Sequence, residues 1–420
     1  MRGSFTRPPR WLFPLLLGLQ VQLPLPAQTG GEDWPRFLGP RGDGSSSETG
    51  LLEGWSEEGP PLVWERSLGR SFSPPVTSAG RIVVFHRIRG QEVVECLEAG
   101  TGRPIWKQGY PTRYLDRYGY NNGPRSSPAI DGDRVYTFGA EGKLTCLEFS
   151  TGRILWQRWI NRDYRVPQNF FGVGSAPVVE GNRILVNAGG DGAGVLAVDK
   201  RSGETIWKTG DDEASYSTPA VVDLDGRRVA MFLTRGGFLA VDAADGRELY
   251  RYPFRSRSYE SVNAATPVVV GNHVFLSATY NTGAVLLELG SQGPTEVWRD
   301  RMAMQNHWAT SLYRDGYLYG VDGRHEGQAN LRCIEFLTGA VRWKSSRELG
   351  RSSFVLAEGR LILLGERGDL ALVDLSPDSY REKARARVLT YPCWAPPVLS
   401  HGLLYLRNEI RLICLDLRKK

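Results

Sequence analysis

The sequence is poor in the residues from which enzyme and metal sites are usually built. Its 420 residues include only five His and five Cys, and no two of the histidines stand at the spacing of metal ligands. It also contains no glycine-rich phosphate loop, no nucleophile elbow and no paired-carboxylate motif. A dedicated metal site and motif-based catalysis are therefore not expected.

Basic tracts are missing as well. The chain carries 52 Lys and Arg against 46 Asp and Glu, for a net charge of +6. Most of this excess comes from arginines scattered along the chain. Recognition of nucleic acid needs a clustered basic face or stripe, so no nucleic-acid partner is predicted.

Long apolar runs are confined to the N-terminus. Residues 1–10 contain three arginines and no acid, residues 11–26 are apolar and leucine-rich, and Ala27 offers a small residue for cleavage. This order is typical of a secretory signal peptide, predicted here as 1–27, with an uncleaved membrane anchor as the alternative. The mature chain is expected to be soluble, without a lipidated N-terminal cysteine or a transmembrane segment, and to be periplasmic or extracellular.

The remainder of the chain is an array of repeats, rich in the 49 Gly, 25 Pro and 12 Trp that the sequence contains. A leading residue recurs at intervals of about 40–50 residues, at Pro75, Pro128, Pro177, Pro219, Pro267, Ser311, Phe354 and Pro397. An aromatic residue closes most repeats, at Trp106, Trp156, Trp207, Tyr250, Trp298 and Trp343. Short apolar runs between Asp-Gly, Glu-Gly and Thr-Gly pairs indicate four strands and tight hairpins in each repeat.

The eighth repeat lacks its last strand, and the missing piece stands at the other end of the array. It runs from Ala395 to Leu417 without a closing Trp, whereas residues 61–68, around Trp64, resemble a last strand with nothing before it. The sequence therefore predicts an all-β fold: an eight-bladed β-propeller of four-stranded antiparallel blades, closed by an N-terminal strand. Residues 28–60 are predicted to be a leader that packs on this single propeller, which comprises residues 61–420.

The closing aromatic residues have a structural interpretation. A large ring on the outermost strand can cover the edge of the next blade and donate a hydrogen bond through an indole N–H. We therefore expect a blade-docking role for Trp64, Trp106, Trp156, Trp207, Tyr250, Trp298 and Trp343. A cysteine recurs where other repeats have alanine, at Cys96, Cys146, Cys333 and Cys414, which favours small buried groups.

The repeat pattern, L-x-A/C-L/V-D/E-x-x-T-G-x-x-x-W, resembles the propeller repeats of the dehydrogenases that use pyrroloquinoline quinone (PQQ). It is also similar to the propeller of the outer-membrane assembly lipoprotein, and the opening W-P-R-F-L-G-P-R-G-D-G of residues 34–44 resembles the leader of exported PQQ-like propellers. The resemblance implies the fold more firmly than the activity. The dehydrogenases carry an adjacent Cys-Cys pair and a Ca²⁺ site, and no segment here matches those motifs.

Candidate site residues lie between one repeat's closing aromatic and the next repeat's leading residue. These crossings should meet at one face, around the central channel, because loops on a rigid scaffold carry function. Their aromatic, amide and arginine side chains suit polar ligands, sugars or peptides, although packing within the loops is the alternative for each. The candidates are Tyr120, Asn121, Asn122, Arg125, Asn169, Phe170, Glu260, Asn263, Asn306, His307 and Trp308.

Two functional hypotheses follow. The sequence favours a non-catalytic binding or scaffold protein of the periplasm or cell surface, expected to be a monomer, whose partner is an envelope protein or a small polar ligand. The alternative is a PQQ-dependent oxidoreductase, with or without Ca²⁺, of the alcohol or sugar dehydrogenase type; no catalytic residue is assigned to it. The polar insertion at residues 376–387 is interpreted as a short surface helix.

Overall fold

The computed structural model describes residues 31–167, 171–346 and 349–419, together with Met1 and Gly3. The predicted signal peptide, apart from those two residues, lies outside the described part of the chain. Among the described residues, no helix has both the length and the apolar character needed to cross a membrane.

Eight four-stranded sheets, which we call blades 1 to 8, make up the structure. The first strand of the chain, β1 (Leu62–Ser67), belongs to blade 8. Blade 1 comprises β2 (Val76–Ser78), β3 (Arg81–Ile88), β4 (Gln91–Glu98) and β5 (Pro104–Pro111), and blade 2 comprises β6 (Ala129–Asp131), β7 (Arg134–Phe138), β8 (Lys143–Glu148) and β9 (Ile154–Trp159), followed by the helix α1 (Ile160–Asp163). Blade 3 comprises β10 (Val178–Glu180), β11 (Arg183–Gly190), β12 (Ala193–Asp199) and β13 (Thr205–Thr209), and blade 4 comprises β14 (Ala220–Leu224), β15 (Arg227–Leu233), β16 (Gly237–Asp242) and β17 (Glu248–Pro253).

The second half repeats the pattern. Its strands are β18 (Val268–Val270), β19 (His273–Ala278), β20 (Gly283–Gly290) and β21 (Gly293–Asp300); β22 (Leu312–Arg314), β23 (Tyr317–Asp322), β24 (Asn330–Glu335) and β25 (Val341–Lys344); β26 (Ser352–Ala357), β27 (Arg360–Gly365), β28 (Asp369–Asp374) and β29 (Arg381–Arg387); and β30 (Val398–Ser400), β31 (Leu403–Arg407) and β32 (Arg411–Asp416). Neighbouring strands pair antiparallel, so the predicted propeller is confirmed.

The ring closes where the sequence predicts. β1 pairs antiparallel with β32, with Trp64 opposite Cys414 and Arg66 opposite Leu412. Blade 8 is thus built from both ends of the propeller, in the order β1-β32-β31-β30. Closure of this kind protects sheet edges that would otherwise be open to pairing with another chain.

Each closing Trp docks on the blade that follows it. The indole N–H groups donate to carbonyls of the next blade's last hairpin: Trp64 to Ala99, Trp106 to Phe149, Trp156 to Lys200, Trp207 to Ala243, Trp298 to Phe336 and Trp343 to Ser376, over 2.8–3.3 Å. Tyr250 has no indole and instead packs against the core between blades 4 and 5. These contacts run in one direction around the ring.

The glycine of the last hairpin provides the seat for the incoming ring. Gly102 has φ +68°, and a Cβ built on it would stand 2.8 Å from Cδ2 of Trp64. Gly152, at φ +74°, faces Trp106 in the same way. The Thr-Gly pair is therefore needed both for the left-handed turn and for the close approach of the ring.

Small residues lie opposite the closing aromatic residues. Cys96 pairs with Trp106, Cys146 with Trp156 and Cys333 with Trp343, and all five cysteines are buried free thiols. Burial raises the pKa of the Cys96 thiol to about 11, which keeps it protonated and inert. The position therefore serves packing between blades.

The expected surface helix in residues 376–387 is wrong, because residues 376–380 form no helix and Arg381–Arg387 form β29, the outermost strand of blade 7. Arg385 stands opposite Ala371, at the position that other blades give to Trp. Ala384 and Ala386 alternate with polar residues and are buried. A helix would have left β28 unpaired at its outer edge, so the sheet decides the conformation over the helical propensity of the segment.

The leader, residues 31–60, runs across one face of the ring. Trp34 is buried, and its carbonyl accepts from the N–H of Thr77. Further backbone hydrogen bonds join the leader to blades 2, 7 and 8: Ile130 to Pro35, Leu356 to Gly44, Ser46 to Leu356 and Leu52 to Leu417. These contacts fasten the leader to four consecutive blades, and its residues 36–43 line a cavity with the innermost segments of blades 3 to 6 on the other side of the channel.

Candidate functional site

The channel opens into a cavity of about 430 Å³ at one face of the disc. All eight crossings from an outermost strand to the next innermost strand contribute to its wall, represented by Phe72, Tyr120, Phe171, Tyr216, Val262, Trp308, Arg351 and Trp394. Phe37 and Leu38 of the leader also line it, and the same two residues line a smaller cavity toward the opposite face. The leader therefore forms a floor, and the cavity is a blind pocket at the channel mouth.

Four of the candidates from the sequence line this pocket. Tyr120 and Arg125 come from the crossing between blades 1 and 2, and His307 and Trp308 come from the crossing between blades 5 and 6. Their convergence follows from the propeller geometry, because every crossing ends at an innermost strand. Whether they contact a ligand stays a prediction.

The asparagine candidates hold the crossings in place. Amide N–H groups of Asn263 donate to the carbonyls of Thr234 and Phe254, and Asn306 donates to Val321. Both side chains are buried. These amides replace backbone partners in irregular loops, as buried backbone groups require.

Asn121, Asn122 and Glu260 are absent from the described lining of the pocket. Asn121 donates to Glu409, and the side-chain oxygen of Asn122 accepts from the N–H of Asp116. Glu260 is exposed beyond the lining. Asn169 and Phe170 lie outside the described residues.

Aromatic rings follow one another around the mouth. Ring centroids of Tyr120 and Trp394 are 5.7 Å apart, those of Trp394 and Trp308 are 5.5 Å apart, and those of Trp308 and His307 are 4.8 Å apart. Tyr120 also lies 6.0 Å from Phe171. Tilted and edge contacts at these distances are favourable for aromatic pairs, so the rings support one another in fixed orientations.

Two arginines are fixed in this wall by buried carboxylates and aromatic faces. Arg125 bonds Asp116 at 2.7 Å and lies 5.4 Å from the ring centre of Phe171. Arg351 bonds Glu366, whose side chain is fully buried, and lies 4.9 Å from the ring centre of Trp308. A paired guanidinium held in one position can still offer its remaining N–H groups to a ligand.

Arg324 differs from the other two. Its guanidinium lies 4.4 Å from the ring centre of Tyr280 and its Nε contacts His325 at 3.1 Å, but no carboxylate of the described residues forms an ion pair with it. Burial, together with the charges of Arg351 and Arg324, lowers the pKa of His307 to about 3. His307 is therefore neutral at pH 7, and the positive potential of the pocket comes from the arginines.

Sequence reasoning missed several lining residues. Trp394 comes from the crossing between blades 7 and 8, Arg351 from that between blades 6 and 7, and Arg324 and Tyr280 from hairpins between second and third strands. The sequence signal for Trp394 was its position three residues before Pro397, the leading residue of repeat eight. The hairpin residues carry no comparable signal, since those turns vary in length.

The donor set fits a quinone only in part. Arginines and aromatic faces suit a planar anion such as PQQ, but none of the described residues that line the pocket is Asp or Glu. Among the described residues, no group of three His, Cys, Asp or Glu side chains could hold a metal ion. The described wall thus offers neither the carboxylate ligands of a Ca²⁺ site nor a carboxylate base, and it does not fit the catalytic machinery of a quinoprotein.

Comparison with known proteins identifies the family. The model of a family described as "Outer membrane protein assembly factor BamB" matches residues 89–345, more than half of the chain. The chain belongs to this family. Curated BamB relatives include those of Yersinia pestis, 24% identical over 257 residues, and Burkholderia pseudomallei (strain K96243), 27% identical over 217 residues. The matches cover 57% and 50% of this chain but only 61% and 52% of those relatives.

Solved structures agree on the fold of this BamB-family chain. BamB from Moraxella catarrhalis matches with a TM-score of 0.61 at 14% identity, covering 86% of this chain and 98% of that one. Quinohemoprotein alcohol dehydrogenase from Comamonas testosteroni matches with a TM-score of 0.62 at 12% identity, covering 92% and 81%. The resemblance to quinoprotein-type propellers is thus confirmed, and at these identities the structural likeness concerns the fold alone.

Proposed function

We propose that this chain is an exported, non-catalytic binding and scaffold propeller that acts in the periplasm or at the cell surface. The observation that carries the proposal is the composition of the channel-mouth pocket. Its described lining combines aromatic rings and three arginines with no Asp or Glu. Such a wall can bind and orient a partner, but it offers no carboxylate for general-base chemistry.

The rigidity of the pocket supports a binding role. Arg351 is held by Glu366 and by the faces of Trp308 and Trp394, and Arg125 is held by Asp116. Side chains that are already ordered lose little entropy when a partner arrives. The name of the relatives, outer membrane protein assembly factor, supports an envelope protein as the partner.

Exposed aromatic and apolar side chains around the mouth extend the binding surface. Tyr118 and Tyr120 are about half exposed, and Tyr259 and Met302 are exposed further. All four belong to crossings on the face of the pocket. Large apolar side chains gathered at one face are typical of a surface that binds protein.

Site-specific crosslinking tests this proposal. A photo-crosslinking residue at Tyr120, at the mouth, is compared in living cells with one at Ile206, which is exposed on the outermost strand β13. We expect a defined envelope protein to be captured from position 120 and not from position 206, and the capture to weaken in Trp308→Ala. Equal capture from both positions, or location of the chain in the cytoplasm, would contradict the proposal.

A PQQ-dependent dehydrogenase is the second candidate, favoured by the arginines and rings of the pocket. Purified full-length protein is heated with and without excess PQQ and Ca²⁺, because a ligand at 100 times its Kd stabilises the native state by about 2.7 kcal/mol. We expect an unchanged Tm and no PQQ-dependent reduction of dye. A raised Tm that is lost in Arg324→Gln, together with dye reduction, would favour the dehydrogenase over the scaffold.

A further inference from the structure

A second cavity, of about 610 Å³, lies at the seam where the ring closes. Its wall combines Arg66 of β1 and Ile410 of the β31–β32 hairpin, both in blade 8, with Arg87 and Lys107 of blade 1. It shares no lining residue with the channel-mouth pocket. We call it the seam groove.

The charges of the seam groove are strongly unbalanced. Five cationic side chains line it: Arg66, Arg70, Arg87, Arg89 and Lys107. Glu95 is the carboxylate among its described lining residues. A cleft with walls of one charge sign concentrates its field and raises the local concentration of oppositely charged ligands.

Part of this charge is fixed by buried groups. Glu95, which is 4% exposed, bonds Arg66 at 2.9 Å and lies 3.4 Å from Nε2 of His86. Burial lowers the pKa of His86, and its Nδ1 accepts from the N–H of Gly69 at 2.7 Å, so a neutral ring directs its hydrogen toward Glu95. Arg66 is thereby held at the bottom of the groove.

Arg70 pairs with Glu409 at 3.3 Å, whereas Arg87, Arg89 and Lys107 form no ion pair with a carboxylate of the described residues. Arg87 donates to the carbonyls of Arg89, Tyr114 and Asn122, which orient its guanidinium without neutralising it. Arg89 and Lys107 are exposed and form no ion pair among the described residues.

We propose that the seam groove is a binding site for a ligand that carries two or more phosphate groups. Guanidinium groups match pairs of phosphate oxygens, and a lysine adds a point charge. Glu95 and Glu409 pair with two of the five cations, so three positive charges remain unpaired, and a single small anion would contact only part of the wall. The phosphates can belong to a soluble polyphosphate or to lipid headgroups at a membrane surface.

Such a ligand would bridge the two ends of the propeller. Arg66 belongs to the N-terminal strand that closes blade 8, whereas Arg87, Arg89 and Lys107 belong to blade 1. A ligand that binds only the closed ring stabilises that state by mass action. Occupancy of the groove therefore strengthens the contact between blades 8 and 1.

Tripolyphosphate is the soluble probe, and vesicles with and without phosphatidylglycerol are the membrane probe, both applied to the full-length protein. The test variant is Arg89→Gln combined with Lys107→Gln, since neither side chain supports the fold through an ion pair. The matched control is Arg342→Gln combined with Lys383→Gln, which removes the same charges from the exposed outermost strands β25 and β29.

We expect tripolyphosphate to raise the Tm of the wild type and of the control, and inorganic phosphate at equal concentration to raise it less. The test variant should bind about tenfold more weakly or worse, and rising salt should weaken binding steeply. Binding to anionic vesicles alone, lost in the test variant, would assign the site to lipid headgroups. Absence of both kinds of binding, or binding unaffected in the test variant, would overturn the proposal.

Discussion

The seat of Trp64 on Gly102 gives a prediction that separates two costs of the same substitution. Gly80 and Gly102 belong to blade 1 and have similar backbone angles, with φ +72° and +68°. A Cβ on Gly80 meets nothing within 4 Å, whereas a Cβ on Gly102 would stand 2.8–3.3 Å from three ring atoms of Trp64. Gly80→Ala therefore measures backbone strain alone, and Gly102→Ala measures strain plus collision.

The magnitudes follow from the two costs. An alanine in the left-handed region costs about 1–2 kcal/mol. Trp64 cannot retreat freely, because its N–H is bonded to Ala99 at 2.9 Å and its ring lies 5.9 Å from that of Tyr405. Overpacking of this kind adds about 1–3 kcal/mol, so Gly102→Ala should destabilise the protein by roughly 2–5 kcal/mol in all.

Urea unfolding followed by far-UV circular dichroism provides the assay, with the slope compared between variants. A double-mutant cycle isolates the collision: in a Trp64→Leu background, Gly102→Ala should cost little more than Gly80→Ala, giving a coupling energy of about 1–3 kcal/mol. Equal effects of the two alanines in the wild type, or additivity with Trp64→Leu, would refute the seat as described.

Three further predictions concern buried charges. Burial raises the pKa of Glu92 to about 7 from 4.5. Because the pKa is higher in the folded state, the contribution of Glu92 to the free energy of unfolding is fully present below pH 4.5 and is lost as the pH rises through about 7. Urea midpoints should therefore show the stability of the wild type relative to Glu92→Gln falling across that range by up to about 3 kcal/mol. Arg407 is buried and donates to the carbonyls of Ser73, Gly69, Asn408 and Glu409, so Arg407→Lys should lower the unfolding free energy by about 2–4 kcal/mol, and an unchanged urea midpoint would contradict it. Glu48 of the leader accepts from the N–H groups of His401 and Gly402 at 2.6 Å, so Glu48→Ala should speed proteolysis of the leader while the propeller stays intact, and equal cleavage rates would refute this clasp.

Ring closure could be predicted because the repeat has a fixed internal order. The segment around Trp64 is a last strand with no hairpin before it, and the eighth repeat lacks its last strand and its Trp. Each segment supplies what the other lacks, and the pairing of Trp64 with Cys414 joins them in one blade. The alternation of Cys and Ala opposite the closing ring likewise reports a steric limit at one register position. The repeat occurs in eight copies, so its pattern stays recognisable even where single residues in one copy differ.

The helix expected for residues 376–387 fails for a related reason. Arg and Lys there suggest a solvated helix, but the outermost strand of a blade is itself exposed on one side and tolerates the same residues. Ala384 and Ala386, two residues apart and both buried in β29, show the period of a strand. This alternation covers few residues and involves only small side chains, so the polar composition of the segment led to the wrong prediction of a helix.

The location of the pocket could be predicted from the sequence, but the residues that line it could not. The crossings had to meet at the channel mouth, yet Asn263 and Asn306 use their amides on backbone carbonyls, because irregular loops leave peptide groups without ladder partners. Arg351 is the opposite case, a lining residue that the sequence did not single out. Its guanidinium is held in the wall by Glu366, which lies fifteen residues later in another turn. A sequence gives no direct sign of such a pair.

Fold and chemistry therefore have separate sources in this chain. The blades need only a glycine seat, a ring and a small opposite residue, and those are the features that the repeat preserves. The mouth is built from segments that break the repeat, and its charges are set by buried acids such as Asp116 and Glu366 that bind arginines instead of facing the pocket. A propeller of the same shape whose acidic side chains pointed into the pocket could bind a cation there. Here the acids lie behind the arginines, so the pocket presents positive charge and aromatic faces, which is why its chemistry must be argued from these side chains and not from the fold.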